Sequence, residues 1–279
     1  YCGDGIVQAE FEDCDGTRGC SETCDLPCSP NCPVLDFVHI PGGQFTMGSP
    51  YFTQSKPVHD VTIAYDFYVS RKEISVAEYK TCVDHGYCEA PGVGGDCNYA
   101  QAGREDHPVN CVSWSQMKTY ASWIGADLPT ESEWEYVSRG TESRSFPWGE
   151  TANSLCPGNL AQIRHTWTGF SGCGLSQPET TAPVCTRTNG STPEGVCDMA
   201  GNVSEWTLDA YYSDHIGAPV DGSARCPEED CADGDLRTIK GGYYNSIADY
   251  TRGGVRSGAG TAGDATIGAR VVRIPLGAF

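Results

Sequence analysis

The residues best equipped for chemistry in this 279-residue chain are its sixteen cysteines. Six fall within the first 32 residues, and ten run from Cys82 to Cys231. A reducing cytosol keeps thiols free, so an even and abundant set argues for an oxidising compartment and a disulfide framework. Zinc would call for paired CxxC spacing, which the sequence lacks. One stretch breaks the pattern. "KGGYYNSIADYTRGGVR", Lys240 to Arg256, carries a glycine pair, three tyrosines and two arginines but no cysteine. Its Ser246 has neither a GxSxG context nor a triad order around it, so nucleophilic catalysis is not expected there. Histidines 39, 59, 85, 107, 165 and 215 form no HxH or HExxH pattern, and structural hydrogen bonding is their expected role.

Charge narrows the classes further. The formal net charge is -19, from 37 acidic and 18 basic residues. Such a field repels a phosphate backbone, so no nucleic-acid partner is expected. Acidic loops rich in Asp, Asn and Gly suit calcium, a hard cation that takes oxygen ligands. No apolar run approaches the roughly 18 residues of a bilayer span. Tyr1-Cys2 reads as the start of a mature or trimmed product. Secretion or cell-surface display is therefore an inference from the cysteines.

These residues need elements to position them. Residues 1–33 carry little apolar content and cannot fold by burial, so bridges or metal must hold them as a small cysteine module. Six cysteines allow 15 pairings, and the sequence does not choose among them. From residue 34 to 279 the pattern is that of a larger domain. "FVHIPGGQFTMGS" alternates around a Gly-Gly turn and reads as a strand pair; "HDVTIAYDFYVSRKEIS" also reads as strand. Three capping boxes then announce three helices: Ser75 with Glu78, Ser113 with Gln116, and Thr130 with Glu133. These helices run toward Gly86, Gly125 and Gly140. After Gly140 the regular signal thins into some hundred loop-like residues. "RTIKGGYYN" and "IGARVVRIP" supply two closing runs placed to complete a sheet with the N-terminal strands.

The N-terminal segment, with Cys2-Gly3-Asp4-Gly5, Glu12-Asp13-Cys14-Asp15-Gly16 and Cys20 to Cys24, resembles a cysteine-rich repeat of secreted bacterial proteins. The larger part carries "IPGGQFTMGS", "HPVNCVSWSQ", "LPTESEWEYVSRG", "DMAGNVSEWTLD", "KGGYYN" and "GARVVR" in order. From about Phe37 to Arg273 it resembles the formylglycine-generating enzyme, or sulfatase-modifying factor, family. That resemblance implies an α+β fold of the irregular C-type-lectin-like kind, with few helices, small sheets and long loops held by disulfides and calcium.

Catalytic members of that family hold copper on a C-x4-C pair just after a GGS motif. Aligned on Gly241-Gly242, Tyr243 stands at the serine, Ser246 at the first cysteine and Thr251 at the second. Cu(I) prefers sulfur, and hydroxyls neither bind it well nor cycle through disulfides. The resemblance thus implies a domain without copper and without formylglycine-generating oxidase activity. It also implies a calcium site at Asp198, Gly201, Val203 and Glu205, through two carboxylates and two carbonyls. A second calcium site would use Asn159 and Leu160, although the expected aspartate falls at Ser176, with Glu179 out of register. Trp206, Tyr243, Tyr244 and Tyr250, with Tyr211 and Tyr212, are candidates to line a binding groove. Arg252, Arg256, Arg270 and Arg273 match the family's closing-strand arginines, whose expected partners are buried acids or carbonyls. The function expected is binding of a protein or glycan partner at the cell surface, or a structural role in a self-assembling surface layer. The alternative is a divergent metal-dependent oxidase or peptide-modifying enzyme of the same family.

Overall fold

All three capping boxes form. The computed structural model describes residues 27–29, 32–150, 160–164, 180–226 and 236–275, and the helices lie within that range. Helix α1 spans Val76–Asp84, α2 Trp114–Trp123 and α3 Glu131–Arg139. At each start the hydroxyl accepts the third backbone N–H while the Glu or Gln side chain accepts the cap's own N–H. Each box thereby satisfies two donors that a helix start otherwise leaves to water. Gly140 closes α3 with φ 62°, as its position after the last turn requires.

The described strands distribute over three sheets. Strands β1 (Phe37–Ile40) and β4 (Phe67–Ser70) pair antiparallel, and β9 (Val272–Arg273) joins the far edge of β4. Strands β2 (Gly43–Met47) and β3 (His59–Ile63) form a separate ladder. The third sheet runs in the order β7 (Arg256–Gly260), β6 (Leu236–Lys240), β5 (Ser204–Ala210), β8 (Ile267–Gly268). "FVHIPGGQFTMGS" thus gives two strands that pair with other partners, not with each other. The chain between them passes tightly against the β3–β4 connection: a Cβ on Gly42 would lie 2.7 Å from the Ile63 carbonyl oxygen. Of the two closing runs, β9 does complete a sheet with N-terminal strands, whereas β6 joins the third sheet.

Strand β5 is the element that the loop-like reading of residues 141–237 missed. Its letters alternate, with Glu205, Thr207 and Asp209 on one face and Trp206, Leu208 and Ala210 on the other. All seven residues are buried. The apolar face joins a core built under α1 and α2 with Tyr79, Met117, Tyr120, Leu128 and Val271. The polar face meets α3, where Glu131, Glu133 and Glu135 are all buried. A second core packs β1 to β4 against Trp134, Tyr136 and Val137 of α3.

Disulfides join Cys28 to Cys32, Cys82 to Cys88, Cys97 to Cys111 and Cys185 to Cys197; Cys226 is also bridged. No free thiol occurs among the described residues. Cys28 is 3 % exposed and packs on the α1–α2 core together with Cys32 and Leu35. The last bridge of the cysteine-rich segment therefore sits on the larger domain, while most of residues 1–33 lies outside the described residues. No described helix is long and apolar enough to cross a membrane.

Candidate functional site

Beyond β6 the chain makes a tight turn at Gly241 and Gly242, both at positive φ, and then a short 3-10 turn at Ala248–Thr251. A Cβ on Gly242 would lie 2.9 Å from Thr251 Cγ2 and 3.1 Å from Ser246 Oγ. The bare glycine is what allows these two side chains to converge, at a φ of 68° that glycine tolerates. Ser246 Oγ accepts the Tyr243 N–H at 3.0 Å, and Thr251 Oγ1 donates to the Ala248 carbonyl at 2.9 Å. Both hydroxyls thus hold the turn. Their oxygen chemistry does not fit copper, and no copper-dependent step follows from this site.

Above the turn opens a cleft of about 440 Å³. Tyr243, Asn245, Ser246, Tyr250, Gln54 and Arg164 line it, the Arg164 N–H bonded to the Ser246 carbonyl at 2.9 Å, together with the buried Lys240 and Arg256. Tyr250 is 52 % exposed, its ring 5.8 Å from that of Phe52. Two of the four expected groove aromatics do not belong here. Trp206 points to the apolar face of β5, fully buried, with its indole N–H donating to the Val112 carbonyl. Its packing in the α1–α2 core keeps the ring out of the cleft. Tyr244 is buried and stands edge-on to Tyr243, outside the cleft lining. Tyr211 and Tyr212 pack under Arg256 and Arg225.

The cleft floor is a buried ion network that the sequence did not disclose. Arg256 grips Glu131 through Nε at 2.6 Å and Nη2 at 2.8 Å, and Lys240 reaches Glu135 at 2.8 Å, which also pairs with Arg139. Burial alone would raise the Glu131 carboxyl, but Arg256, His215 and Lys240 hold it well below the usual carboxylate range. Asp209, which accepts the Glu131 and Arg225 backbone N–H groups, is pushed up to about 7 by burial and the neighbouring Glu131 charge. The network joins residues more than a hundred positions apart, so no local spacing announces it.

Glu133 lies behind this layer. Tyr65 Oη and the Thr130 N–H donate to it, yet burial pushes its carboxyl up to about 7. A raised carboxyl contributes stability below its unfolded value near 4.5 and loses that contribution as pH climbs through about 7. Folding stability should therefore fall between those values by an amount on the order of 3 kcal/mol from this group. Chemical denaturation across pH should show that decline flattened in Glu133→Gln; an unchanged slope would refute the assignment.

The expected calcium loop runs into β5 against the Gly241–Gly242 turn: the Gly201 N–H donates to the Gly241 carbonyl and the Tyr244 N–H to the Asn202 carbonyl, both at 2.9 Å. Asp198, Gly201 and Asn202 all take positive φ, curling the chain ahead of the strand. Glu205 accepts Arg270 Nε at 2.6 Å, Arg270 Nη2 at 2.7 Å and the Trp134 indole N–H at 2.7 Å. A carboxylate offers about four lone-pair sites, so Glu205 has one left for an ion. Glu73 accepts from Asn202 and the Val203 N–H, and both Glu73 and Asp198 are raised by burial. Three buried acids thus meet the buried Arg270, with the half-buried Arg187 near Asp198, and this surplus of acids fits a hard divalent ion. No group of three metal-ligating side chains is assembled among the described residues, so such an ion would draw on the carbonyls of Gly201 and Val203. For the second expected site, Asn159, Ser176 and Glu179 lie outside the described residues. The Leu160 carbonyl lies so close to Gly190 that an added Cβ there would sit 1.7 Å away.

Most histidines hold structural bonds. His39 pairs with Asp66, His85 bonds the Thr81 carbonyl at the end of α1, and His107, lowered to about 4 by burial and Arg104, bonds Thr181. Half-buried His59 meets the ring of buried His215 edge to face, and His215 lies beside Glu131. Of the four arginines, Arg252 pairs with Asp249, Arg256 with Glu131 and Arg270 with Glu205. Arg273 takes no acid partner among the described residues.

An irregular α+β fold with a degenerate turn where a thiol pair would stand defines a formylglycine-generating-enzyme-like domain. The chain belongs to the family described as "Sulfatase-modifying factor enzyme 1-like domain", which matches residues 25–275. It is 28% identical over 276 residues to the formylglycine-generating enzyme of Mycobacterium tuberculosis, covering 78% of this chain and 89% of that one. It is 30% identical over 152 residues to the "Inactive C-alpha-formylglycine-generating enzyme 2" of Bos taurus, covering 52% of this chain and 40% of that one. Among solved structures it superposes on PvdO from Pseudomonas aeruginosa with a TM-score of 0.71 and 28% identity, covering 90% and 97% of the two chains.

Proposed function

We propose that this chain is a calcium-stabilised binding domain, secreted or displayed at a cell surface, that has lost the oxidase chemistry of its family. Its cleft at Tyr243 to Thr251 takes a protein or glycan partner. The observation that carries this reading is an open, tyrosine-walled cleft beside a turn on which the Ser246 and Thr251 hydroxyls are already spent. Tyrosine combines a large apolar face with a polar tip, which suits a surface that binds without reacting. The Asp198–Glu205 loop supports the calcium part, because its buried acids outnumber their cations. Calcium would be held by Asp198, Glu205 and the Gly201 and Val203 carbonyls, and would brace the loops that lead into β5.

Elemental analysis of the purified protein should find calcium and no stoichiometric copper or iron. Chelation should lower the thermal midpoint in wild type, and the shift should vanish in Asp198→Ala. Redox metal bound near Ser246 would overturn the binding reading in favour of a divergent oxidase. Peptide and glycan arrays should give a ligand whose affinity Tyr250→Ala weakens roughly tenfold, about 1.4 kcal/mol. Ordered self-association with no array ligand would assign the domain a structural role instead.

A further inference from the structure

A second cavity, of about 330 Å³, lies away from the cleft, where the α2–α3 connection meets the end of β5, the loop at 222–224 and β9. Its walls are chiefly apolar: Ala126, Leu128, Leu208, Ala224, Val272 and Ile274. The polar side chains around it are nearly all engaged. Tyr65 donates to Glu133, Thr130 Oγ1 donates to the Gly222 carbonyl, Ser223 bonds Asp221, and Asp127 pairs with Lys118. Arg273 is the exception. Its Nη2 donates to the Ile124 carbonyl at the end of α2, and its Cζ lies 4.4 Å from the Phe37 ring centroid. Its Nε is buried with no partner, and no carboxylate reaches ion-pair distance of it among the described residues. Burial depresses its pKa to about 10.

A half-buried guanidinium with a buried N–H and no anion is poorly compensated, and its three sister arginines all have an acid partner. The cavity beside it has the size of a small-ligand site. A hydrated inorganic anion would gain nothing from these walls, and a plain hydrocarbon would leave the guanidinium unpaired. We propose that this cavity is a binding site for a small carboxylic acid with a short hydrocarbon chain. The carboxylate pairs with the Arg273 guanidinium, whose fork matches its geometry. The chain lies against Leu128, Leu208, Val272 and Ile274. The other acids at the wall do not oppose it below neutrality, since Asp127 is held by Lys118 and Glu133 is raised to about 7.

Calorimetric titration with sodium hexanoate at about pH 6, a unit below the Glu133 value, tests this directly. One hexanoate should bind per chain, hexan-1-ol should bind at least roughly tenfold more weakly, and hexylamine should not bind. Arg273→Gln should weaken hexanoate by a similar factor. Ala224→Phe, which narrows the cavity and leaves Arg273 in place, should do the same if the first variant folds poorly. Absence of saturable hexanoate binding, equal binding of the alcohol, or undiminished binding in both variants would overturn the proposal. Arg273-dependent self-association in sedimentation without hexanoate would assign the cavity to a second copy and overturn it equally.

Discussion

The double variant Ser246→Cys/Thr251→Cys is expected to acquire stoichiometric Cu(I) binding that the wild type and both single variants lack. The two side chains already converge on Gly242, within 3.1 Å of where its Cβ would be. Replacing both hydroxyls by thiols supplies the soft donors that Cu(I) selects, on a turn that the fold already provides. One thiol is not enough, because a single soft ligand competes poorly with water and buffer. A spectroscopic competition assay with a Cu(I) chelator measures the gain. Oxidation without metal should link the same two cysteines, detectable as the loss of two titratable thiols. If the double variant binds no more Cu(I) than either single one, the side chains do not converge as described, and the degenerate-site reading of this turn falls.

The second large effect is expected at Arg270. Fully buried, it holds both oxygens of Glu205 and also donates to the carbonyls of Cys197 and Ser70. Arg270→Met leaves Glu205, Glu73 and Asp198 together with no buried cation, and breaking such a pair costs about 3–5 kcal/mol. Arg270→Lys should rescue little, because a point charge cannot replace the fork. Arg270→Met/Glu205→Gln should recover part of the loss by removing the orphaned charge. Urea denaturation measures all three, and a loss below about 1 kcal/mol in Arg270→Met would refute the role assigned to the pair. Millimolar calcium should stabilise Arg270→Met more than wild type if a cation occupies the Asp198–Glu205 loop. An equal effect on both would count against that site.

The helices were legible because a capping box is a local device: its two hydrogen bonds join residues three apart, and a Ser or Thr followed three positions on by Glu or Gln carries them entirely. The degenerate turn was legible for the same reason, since Ser246 and Thr251 lie five positions apart on one short segment. Strand β5 was equally visible in its alternation, but the letters Asp198 to Asp209 were read for their calcium motif and not for their period. The strand pairing of "FVHIPGGQFTMGS" was misread because a Gly-Gly turn fits a hairpin and a crossing between sheets alike.

By itself, then, the sequence determined the family, the three helix starts, the oxidised cysteines and the loss of the thiol pair, each through residues close in the chain. Tertiary structure decided which way those residues face. Period two places Glu205 and Trp206 on opposite sides of β5 but does not say which side meets a cleft. Packing settles that: Trp206 goes to the α1–α2 core and Glu205 to Arg270. It also decides charge, because pairing Glu131 with Arg256, or leaving Arg273 without an acid, depends on contacts across more than a hundred residues. The stretch from Lys240 to Arg256 is therefore a turn whose lack of a thiol pair is written in its own letters, while the cleft beside it exists only because Gln54, Arg164, Ser204 and Thr266, distant in the chain, gather around it.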